Sequence, residues 1–456
     1  MTPRPALRLK AALLLLLALL SGCTLLQGPP TLEVPTPRPT TPLFAGQSNA
    51  PLVQDPVSSI VPAVDPSIAS LLQPPDGVSR QSIFAYVQTL EGFGSRHSLS
   101  DTQSDTQGIG AARRWLFNEF QRVGAGRLDV RFQDFAHSIN GIATTQRNIV
   151  ATLPGTSNHP GLIVLGAHYD SRNVDPLDGD VRAPGANDDA SGIAMLLEAA
   201  RLLSSRSWSQ TIVFVAFAAE EQQTAGARSY VQNALIFENA QIDLALNYDI
   251  VGGRFGIPQA VRAFALGPDT SPNHQLIRYI DYIGAFYLPQ FPITVVDAMD
   301  RPDRYGDQRE FINAGIPAVR FTESEEDPSV QHTGQDTSEK LDYDYIVQVT
   351  QLTVAAVANM AGAPARPQPP LIVSMEEPGW YILNWAPDRT AAGYAISFRI
   401  VGEAGYAPFR YVRAAEAGNV VLTGFDPNIR YAVSLAALDA NGRLGLFSPE
   451  VIIEPR

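Results

Sequence analysis

The sequence predicts an α/β protein with a mixed sheet and flanking helices, followed by a C-terminal all-β sandwich. Between about residue 77 and residue 364, short apolar runs typical of strands alternate with amphipathic helical patterns. Several of the apolar runs are almost continuous, as expected of strands that are covered on both faces. After "APARPQPP", the chain contains only short strand patterns separated by turns, which are typical of a β-sandwich.

The α/β region of residues 77–364 contains six strand patterns and five helical patterns. The strand patterns are "RNIVATLPG", "GLIVLGAHYD", "TIVFVAFAAEE", "IDLALNYDIVG", "VRAFALG" and "GIPAVRFTES". The helical patterns are "QSIFAYVQTLE", "GIGAARRWLFNEFQRVG", "SGIAMLLEAARLLSS", "HQLIRYIDYIG" and "SEKLDYDYIVQVTQLTVAAVANMAG". Their alternation indicates a largely parallel or mixed sheet with helices packed against it.

Residues 365–456 predict a small β-sandwich. Trp385 stands at the end of an early strand pattern, and Tyr431 follows "LTGFDPNIR". Their positions resemble those of the core tryptophan and the corner tyrosine of a fibronectin type III domain. An unrelated small β-sandwich is the alternative interpretation of these residues.

The N-terminus has the features of a bacterial export signal. Three basic residues precede the apolar run "AALLLLLALL", which is too short to span a bilayer comfortably. The run is followed by "LSGC", which resembles a lipobox, and Cys23 is the only cysteine of the chain. We therefore expect residues 1–22 to be a lipoprotein signal peptide. The mature protein would then be extracytoplasmic and anchored to a bacterial membrane through lipidated Cys23, whereas a simple anchor helix is the alternative.

Residues 23–76 predict a tether, since they contain twelve of the 36 prolines and lack sustained periodicity. An N-terminal arm packed on the domain is the alternative, and "VSSIVPAV" is compatible with it. Removing residues 1–22 takes away three basic residues and no acidic one, which changes the formal net charge from −13 to −16. This acidic balance argues against nucleic acid as a partner and against electrostatic docking on anionic lipid.

Acidic residues and histidines cluster where the predicted strands end. They are His168 and Asp170 after "LIVLGA", Glu220 and Glu221 after "TIVFVAFAA", Asp249 after "LALNY", and His332 in the loop after "AVRFTES". Ligands of open α/β sheets bind beyond the carboxyl ends of the strands, so these side chains are expected at the same edge. So many converging carboxylates are not expected to stay ionised without a cation. Two histidines and three acidic ligands suit Zn²⁺, and their number suits two ions.

The segment "PGANDDASG" places two adjacent carboxylates, Asp188 and Asp189, directly before a helical pattern. Aspartate at a helix start commonly caps free backbone N–H groups. A second interpretation is that one of the two carboxylates binds metal.

Five motifs, in the order "GAHYDS", "GANDDASG", "FAAEE", "NYDIVG" and "HTGQDTSEKLD", resemble those of the co-catalytic dizinc aminopeptidases. These enzymes are relatives of aminopeptidase Y, glutamate carboxypeptidase and glutaminyl-peptide cyclotransferase. The resemblance covers roughly residues 80–362. It implies a phosphorylase/hydrolase-like α/β fold and a cofactor of two Zn²⁺ ions.

The resemblance also implies a role for each residue of the motifs. His168 and Asp249 would bind one zinc, Glu221 and His332 the other, Asp188 would bridge both, Glu220 would be the general base, Asp170 would accept a hydrogen bond from His168, and Asp189 would cap the helix. One departure is Gln308 in "YGDQREF", where many relatives have the histidine of a Ser-Asp-His sequence.

The predicted function is therefore that of a secreted, membrane-tethered, zinc-dependent exopeptidase that acts on peptides, and an aminopeptidase is favoured. A carboxypeptidase on the same scaffold is the nearest alternative. Glutaminyl cyclase is less favoured because that chemistry uses one zinc and does not need His168. A non-catalytic binding protein is disfavoured because the ligand set and Glu220 are intact.

Overall fold

The computed structural model describes residues 52–53, 60–302 and 304–455. The strands are β1 (Leu52–Val53), β2 (Asp129–Ile139), β3 (Ile142–Leu153), β4 (Gly161–His168), β5 (Thr211–Phe217), β6 (Gln241–Tyr248), β7 (Val261–Phe264), β8 (Ile293–Val296), β9 (Ala318–Glu323), β10 (Leu371–Ser374), β11 (Tyr381–Asn384), β12 (Gly393–Ile400), β13 (Arg410–Arg413), β14 (Asn419–Thr423), β15 (Tyr431–Leu438) and β16 (Val451–Ile453). The α-helices are α1 (Pro66–Ala69), α2 (Arg80–Gly92), α3 (Gly108–Gly124), α4 (Ser191–Ser204), α5 (Ala225–Gln232), α6 (Pro272–Tyr287), α7 (Gln308–Asn313) and α8 (Tyr343–Gly362). The predicted signal peptide and Cys23 lie outside the described residues.

An eight-stranded mixed sheet in the order β2-β3-β5-β4-β6-β9-β7-β8 forms the centre of the larger domain. The four central strands β5, β4, β6 and β9 are parallel. Strands β2 and β3 continue the sheet antiparallel on one side, whereas β7 on the other side is antiparallel to β9 and parallel to β8. The predicted α/β class with a mixed sheet and flanking helices is confirmed.

Helices cover both faces of the sheet, which explains why its central strands are largely apolar. Leu165 of β4 belongs to a core cluster that includes residues of α2, α3, α4 and α8. The preceding residue, Val164, belongs to a second cluster with Tyr230 of α5 and Phe311 of α7. Successive side chains of a strand point to opposite faces, so an alternating polar pattern would leave one of these two cores unfilled.

The parallel register brings the carboxyl ends of the central strands to one edge. His168, the last residue of β4, is opposite Phe217, the last residue of β5. Tyr248, the last residue of β6, is opposite Phe321 near the end of β9. The residues that follow these strands therefore meet in one place.

The C-terminal region is a sandwich of two antiparallel four-stranded sheets, β1-β14-β11-β10 and β13-β12-β15-β16. Their facing sides form one core cluster, in which Leu383 and Leu422 come from one sheet and Leu435 from the other. The Trp385 ring lies 5.3 Å from that of Tyr394, and the Tyr431 hydroxyl accepts a hydrogen bond from the Asp426 N–H at 3.3 Å. The all-β sandwich is confirmed, and the fibronectin type III assignment stays a prediction.

The structure corrects the end of the predicted tether at residue 76. Helix α1 is capped by the Asp65 carboxylate, which accepts a hydrogen bond from the Ser67 N–H at 2.7 Å. Ile68, Leu71 and Leu72 are buried in the main core. Proline at the first position of the helix is compatible with helix formation, so a proline-rich composition concealed a packed segment here.

Within the described ranges, no helix combines the length and the apolarity that a membrane crossing requires.

Candidate metal centre

The structure brings together the acidic residues and histidines that follow the central strands. Asp188 approaches two imidazoles: its Oδ1 lies 3.2 Å from His168 Nε2, and its Oδ2 lies 3.1 Å from His332 Nε2. Glu221 Oε1 is 3.1 Å from His332 Nε2, and Asp249 Oδ1 is 3.6 Å from His168 Nε2. Two groups of ligating atoms result, each with its members within 4.8 Å of one another: the first comprises His168, Asp189 and Asp249, and the second comprises Asp188, Glu221 and His332.

Asp189 belongs to the first of these groups, but its carboxylate is engaged by backbone amides. Its Oδ1 accepts hydrogen bonds from the N–H groups of Gly192, at 2.9 Å, and Ile250, at 3.3 Å. Its Oδ2 accepts one from the His168 N–H at 3.1 Å. A Cβ on Gly192 would lie 2.5 Å from Asp189 Oδ1, so this contact at the start of α4 requires glycine. The contacts of Asp189 therefore agree with the role expected of it at the start of the helix. Asp188 is then the carboxylate of the pair that is available to bind metal.

The Asp188 backbone is held by a residue to which the sequence analysis gave no role, Asp336. The Asp336 carboxylate accepts hydrogen bonds from the N–H groups of Asn187, at 2.8 Å, and Asp188, at 3.0 Å. Burial raises the pKa of Asp336 to about 6. Asp336 is part of the "HTGQDTSEKLD" motif, four residues after His332, and this proximity was the signal that could have identified it.

Asp170 positions the adjacent glutamates rather than only His168. Its carboxylate accepts hydrogen bonds from the N–H groups of Glu220, at 3.1 Å, and Glu221, at 3.2 Å. His168 Nδ1 lies 3.1 Å from the backbone oxygen of Asp170 and 3.6 Å from its Oδ1. The hydrogen bond that fixes the imidazole thus goes to the main chain, which leaves Nε2 to face Asp188 and Asp249.

Glu221 is held in an orientation that suits a metal ligand. Arg172 Nε donates a hydrogen bond to Glu221 Oε2 at 2.7 Å. Glu221 Oε1 is buried and has no hydrogen-bond partner within the described part of the chain. A buried carboxylate oxygen without a donor is costly, and a bound cation removes that cost. The residues present therefore fit a metal ion.

Asp249 is held by a buried arginine that the sequence analysis did not single out. Arg320 on β9 is completely buried, and one of its terminal nitrogens lies 3.1 Å from Asp249 Oδ2. Its other terminal nitrogen donates to Asp300 at 2.7 Å. Arginine within a strand pattern that is expected to be buried was the available signal, since an unpaired guanidinium is not tolerated there.

Comparisons with known proteins agree with this arrangement. Residues 148–357 match the model of Peptidase family M28. A probable zinc metalloprotease from Pyricularia oryzae is 34% identical over 363 residues, which cover 70% of this chain and 71% of the relative. Another from Leptosphaeria maculans is 32% identical, with 68% of this chain and 80% of the relative covered. The chain belongs to Peptidase family M28.

Solved structures show the same fold. The LapA aminopeptidase of Legionella pneumophila aligns with a TM-score of 0.53 at 22% identity, over 67% of this chain and 78% of that chain. Glutaminyl cyclase of Porphyromonas gingivalis aligns with a TM-score of 0.50 at 21% identity, over 61% of this chain and 98% of that chain. The resemblance to the zinc aminopeptidase family and the prediction of a zinc metallopeptidase are confirmed.

Burial and charge determine the proton affinities in the M28 site. Burial raises the pKa of Glu220 well above its usual range, and the carboxylates of Asp249 and Asp307 reinforce this against the opposing effect of His168. Burial lowers the pKa of His332, but Glu221 and Asp188 outweigh it and raise the pKa to about 9. Glu220 is thus a carboxylate of the M28 site whose affinity for a proton is raised.

The M28 site opens into a cavity of about 220 Å³. Its lining residues are Arg172, Asp188, Glu220, Glu221, Gln223, Asp249, Arg301, Arg304, Tyr305, Arg309 and His332. Four of the five predicted metal ligands (Asp188, Glu221, Asp249 and His332) and the predicted base Glu220 therefore face a space where a substrate can bind.

Gln308, which stands where the family resemblance implies a histidine, does not line this cavity. It is completely buried, and its Nε2 donates to the backbone oxygen of Met299 at 2.9 Å. Its Oε1 lies 3.5 Å from Asn247 Nδ2. Gln308 therefore supports the segment that carries Asp300 and does not contact a substrate in the cavity.

Proposed function

We propose that this chain is an extracytoplasmic, zinc-dependent exopeptidase that hydrolyses peptide bonds at a site for two Zn²⁺ ions. The observation that carries the proposal is the position of Asp188, whose two oxygens face His168 and His332 at 3.2 and 3.1 Å. A single carboxylate between two imidazoles suits a ligand shared by two ions. One zinc alone would leave one of the two histidines without a role.

His168 and Asp249 would hold one ion, Glu221 and His332 the other, and Asp188 both. Bound zinc polarises a carbonyl group and lowers the pKa of the attacking water toward neutrality. The chain supports these ligands through Asp170, Arg172 and Arg320, which fix carboxylates or imidazoles by hydrogen bonds.

Glu220 would be the general base. Its carboxylate lines the cavity, whereas Glu221 beside it is held by Arg172 and faces His332. The raised proton affinity of Glu220 suits a group that takes a proton from the attacking water and returns it to the departing amine nitrogen. Two adjacent glutamates would thus have separate functions because their surroundings differ.

An aminopeptidase is the favoured form of the exopeptidase. The LapA structure with the same fold is an aminopeptidase. A carboxypeptidase remains the alternative, because the described site contains both kinds of charged group that could bind a peptide terminus. Glutaminyl cyclase has the same fold, but the position of His168 next to Asp188 favours the peptidase.

The test is hydrolysis by the mature, zinc-loaded protein of aminoacyl-anilides and of short peptides with free or blocked termini. We expect hydrolysis that requires a free N-terminus, and we expect Glu220→Gln to lower kcat by about 10² to 10⁴ at unchanged zinc content. Glu238→Gln, at an exposed position outside the cavity, is the matched control and retains activity. Zinc-loaded wild type without any hydrolysis would favour a binding protein, and equal activity of Glu220→Gln would refute the assigned base.

The location is a separate part of the proposal and rests on residues 1–23. Expressed in a bacterium, the full-length chain should incorporate labelled fatty acid and enter the detergent phase of a cloud-point extraction. Cys23→Ser should abolish both results because it removes the only thiol. Partition of the wild-type chain into the aqueous phase would contradict the lipid anchor.

A further inference from the structure

The cavity beside the metal centre has an unusual lining. Most ligand pockets are predominantly apolar. Here, among the described residues, no aliphatic side chain lines the cavity, and Tyr305 is its aromatic residue. Apart from the acidic residues and His332 of the metal centre, every charged residue of the lining is an arginine: Arg172, Arg301, Arg304 and Arg309.

Two of these arginines bind carboxylates that lie outside the lining. Arg301 pairs with Glu326 and with Asp300. Arg309 donates to Glu310 at 2.9 Å, and its guanidinium lies 4.7 Å from the centroid of the Tyr305 ring. Both arginines therefore stabilise the wall of the cavity.

Arg172 is also engaged, because its Nε donates to the predicted metal ligand Glu221 at 2.7 Å. Its NH1 donates to the backbone oxygen of Asn173 at 3.1 Å. We regard Arg172 as a positioning residue for Glu221.

Arg304 differs from the other three. Its NH1 donates to the amide oxygen of Gln331 at 3.1 Å, and no carboxylate of the described residues forms an ion pair with it. Gln331 directly precedes His332, so this hydrogen bond holds the guanidinium beside the loop of the metal centre. A guanidinium has five donors in a planar fork that matches a carboxylate, and Arg304 retains donors for one.

We propose that Arg304 binds a carboxylate of the substrate, so that this enzyme selects peptides with an acidic group next to the scissile bond. The inference rests on the proposed peptidase function and specifies its substrate class. The carboxylate has two possible sources, an aspartyl or glutamyl side chain at the N-terminal residue or the free α-carboxylate of the residue that follows the scissile bond. The absence of an aliphatic lining in the described cavity disfavours leucine-like side chains.

Arg304 also opposes the electrostatic repulsion between an anionic substrate and the protein as a whole. The chain carries a formal net charge of −13, which repels anionic substrates at long range. Arg304 places a positive charge in the cavity that no carboxylate of the described residues pairs with. We therefore expect the KM of acidic substrates to rise with ionic strength more than that of neutral ones.

The experiment compares wild type, Arg304→Gln and Arg304→Lys in the zinc-loaded mature protein, with Arg206→Gln at an exposed site as the matched control. Glutamyl-anilide against glutaminyl-anilide measures preference for an acidic side chain. Alanyl-alanine against its C-terminal amide measures preference for a free α-carboxylate. A charged hydrogen-bonded pair predicts a preference of about 10- to 100-fold in kcat/KM for one acidic member.

Arg304→Gln should remove that preference, mainly by raising the KM of the acidic substrate. Its kcat/KM for the neutral member of each pair should stay within about threefold of the wild-type value. Arg304→Lys should retain part of the preference for the acidic substrate, and Arg206→Gln should retain all of it. The inference is overturned if the wild-type protein favours the neutral member of both pairs. It is also overturned if Arg304→Gln lowers kcat/KM equally for all four substrates. If wild type hydrolyses none of the substrates while it contains zinc, the proposed function itself fails, which is a distinct result.

Discussion

The carboxylate of Asp188 lies between two imidazoles, with Oδ1 3.2 Å from His168 Nε2 and Oδ2 3.1 Å from His332 Nε2. Because it connects the two groups of ligating atoms, its removal should affect both at once. We expect Asp188→Ala to lower kcat/KM on the order of a thousandfold, which corresponds to about 4 kcal/mol of transition-state stabilisation. Zinc per chain, measured by atomic emission, should fall from about two to one or none.

Asp105→Ala is the matched control for this change, because its side chain is 91% exposed. It should retain both activity and metal. A variant Asp188→Ala with unchanged zinc content would show that the two groups bind metal independently of Asp188.

The contact between Arg172 and Glu221 predicts an effect on metal affinity. Arg172 Nε donates to Glu221 Oε2 at 2.7 Å and thereby leaves Oε1 directed at His332. Loss of such a supporting contact typically weakens a metal site 10- to 100-fold. We expect Arg172→Gln to bind zinc about 10- to 100-fold more weakly at one of the two sites, measured by competition with a chelator.

Arg80→Gln, which removes an exposed ion pair with Asp344, is the control and should leave zinc affinity unchanged. If Arg172→Gln retained full zinc affinity but lost activity, Arg172 would act on the substrate and not on Glu221.

The sequence predicted the centre of the fold better than its edges. Strands β4, β5, β6 and β9 are buried on both faces, and this burial requires the apolar runs that identified them. Strand β8 is four residues long and partly exposed, so it carries no comparable pattern. Helices α5 and α7 are also short, and both were missed for the same reason.

The candidate metal ligands were indicated by acidic residues and histidines at the strand ends, and the family resemblance implied the role of each. The residues that hold them were harder to recognise. Asp336 acts through its contacts with the backbone of Asn187 and Asp188, and Arg320 acts from within a buried strand. Such contacts depend on the tertiary structure, and local patterns do not encode them.

The ion pair of Arg320 with Asp300 predicts a large effect on stability. Both side chains are completely buried, and NH1 of Arg320 lies 2.7 and 2.5 Å from the two Asp300 oxygens. Asp300→Asn would leave the guanidinium without this partner, which typically costs about 3–5 kcal/mol. The measurement is the free energy of unfolding from urea denaturation. Asp297→Asn, at an exposed position of the same segment, should change it by less than about 0.5 kcal/mol.

The same ion pair predicts a pH dependence of stability. Burial raises the pKa of Asp300, but Arg320 and Arg301 outweigh it and lower the pKa to about 2 from 3.8. A lowered pKa stabilises the folded state above pH 3.8, and this contribution is lost as the pH falls through about 2. The two pKa values correspond to about 2.5 kcal/mol at most. Asp300→Asn should therefore show a flatter decrease of stability between these pH values, and an unchanged slope would contradict the assignment.

The two domains are joined by a buried ionic network that predicts how they unfold. Arg399 of the sandwich donates to Glu450 at 2.8 Å and to Asp269 of the larger domain at 2.5 Å. Arg278 on α6 lies 3.0 Å from the same Asp269 and 3.2 Å from Glu450. Apolar residues of both domains, among them Tyr279 and Phe447, belong to the same core cluster. The interface therefore contains buried apolar contacts as well as ion pairs.

We expect the wild-type protein to unfold in one cooperative transition, because each domain buries surface of the other. Arg399→Ala leaves two carboxylates with Arg278 as their remaining partner in this network and should cost about 3–5 kcal/mol. Differential scanning calorimetry should then resolve two transitions, because the sandwich loses its ion pair with Asp269 of the larger domain. Arg430→Gln, which breaks an exposed ion pair with Glu454 within the sandwich, should keep a single transition. Two separated transitions in the wild type would contradict this coupling and would make the sandwich an independent module.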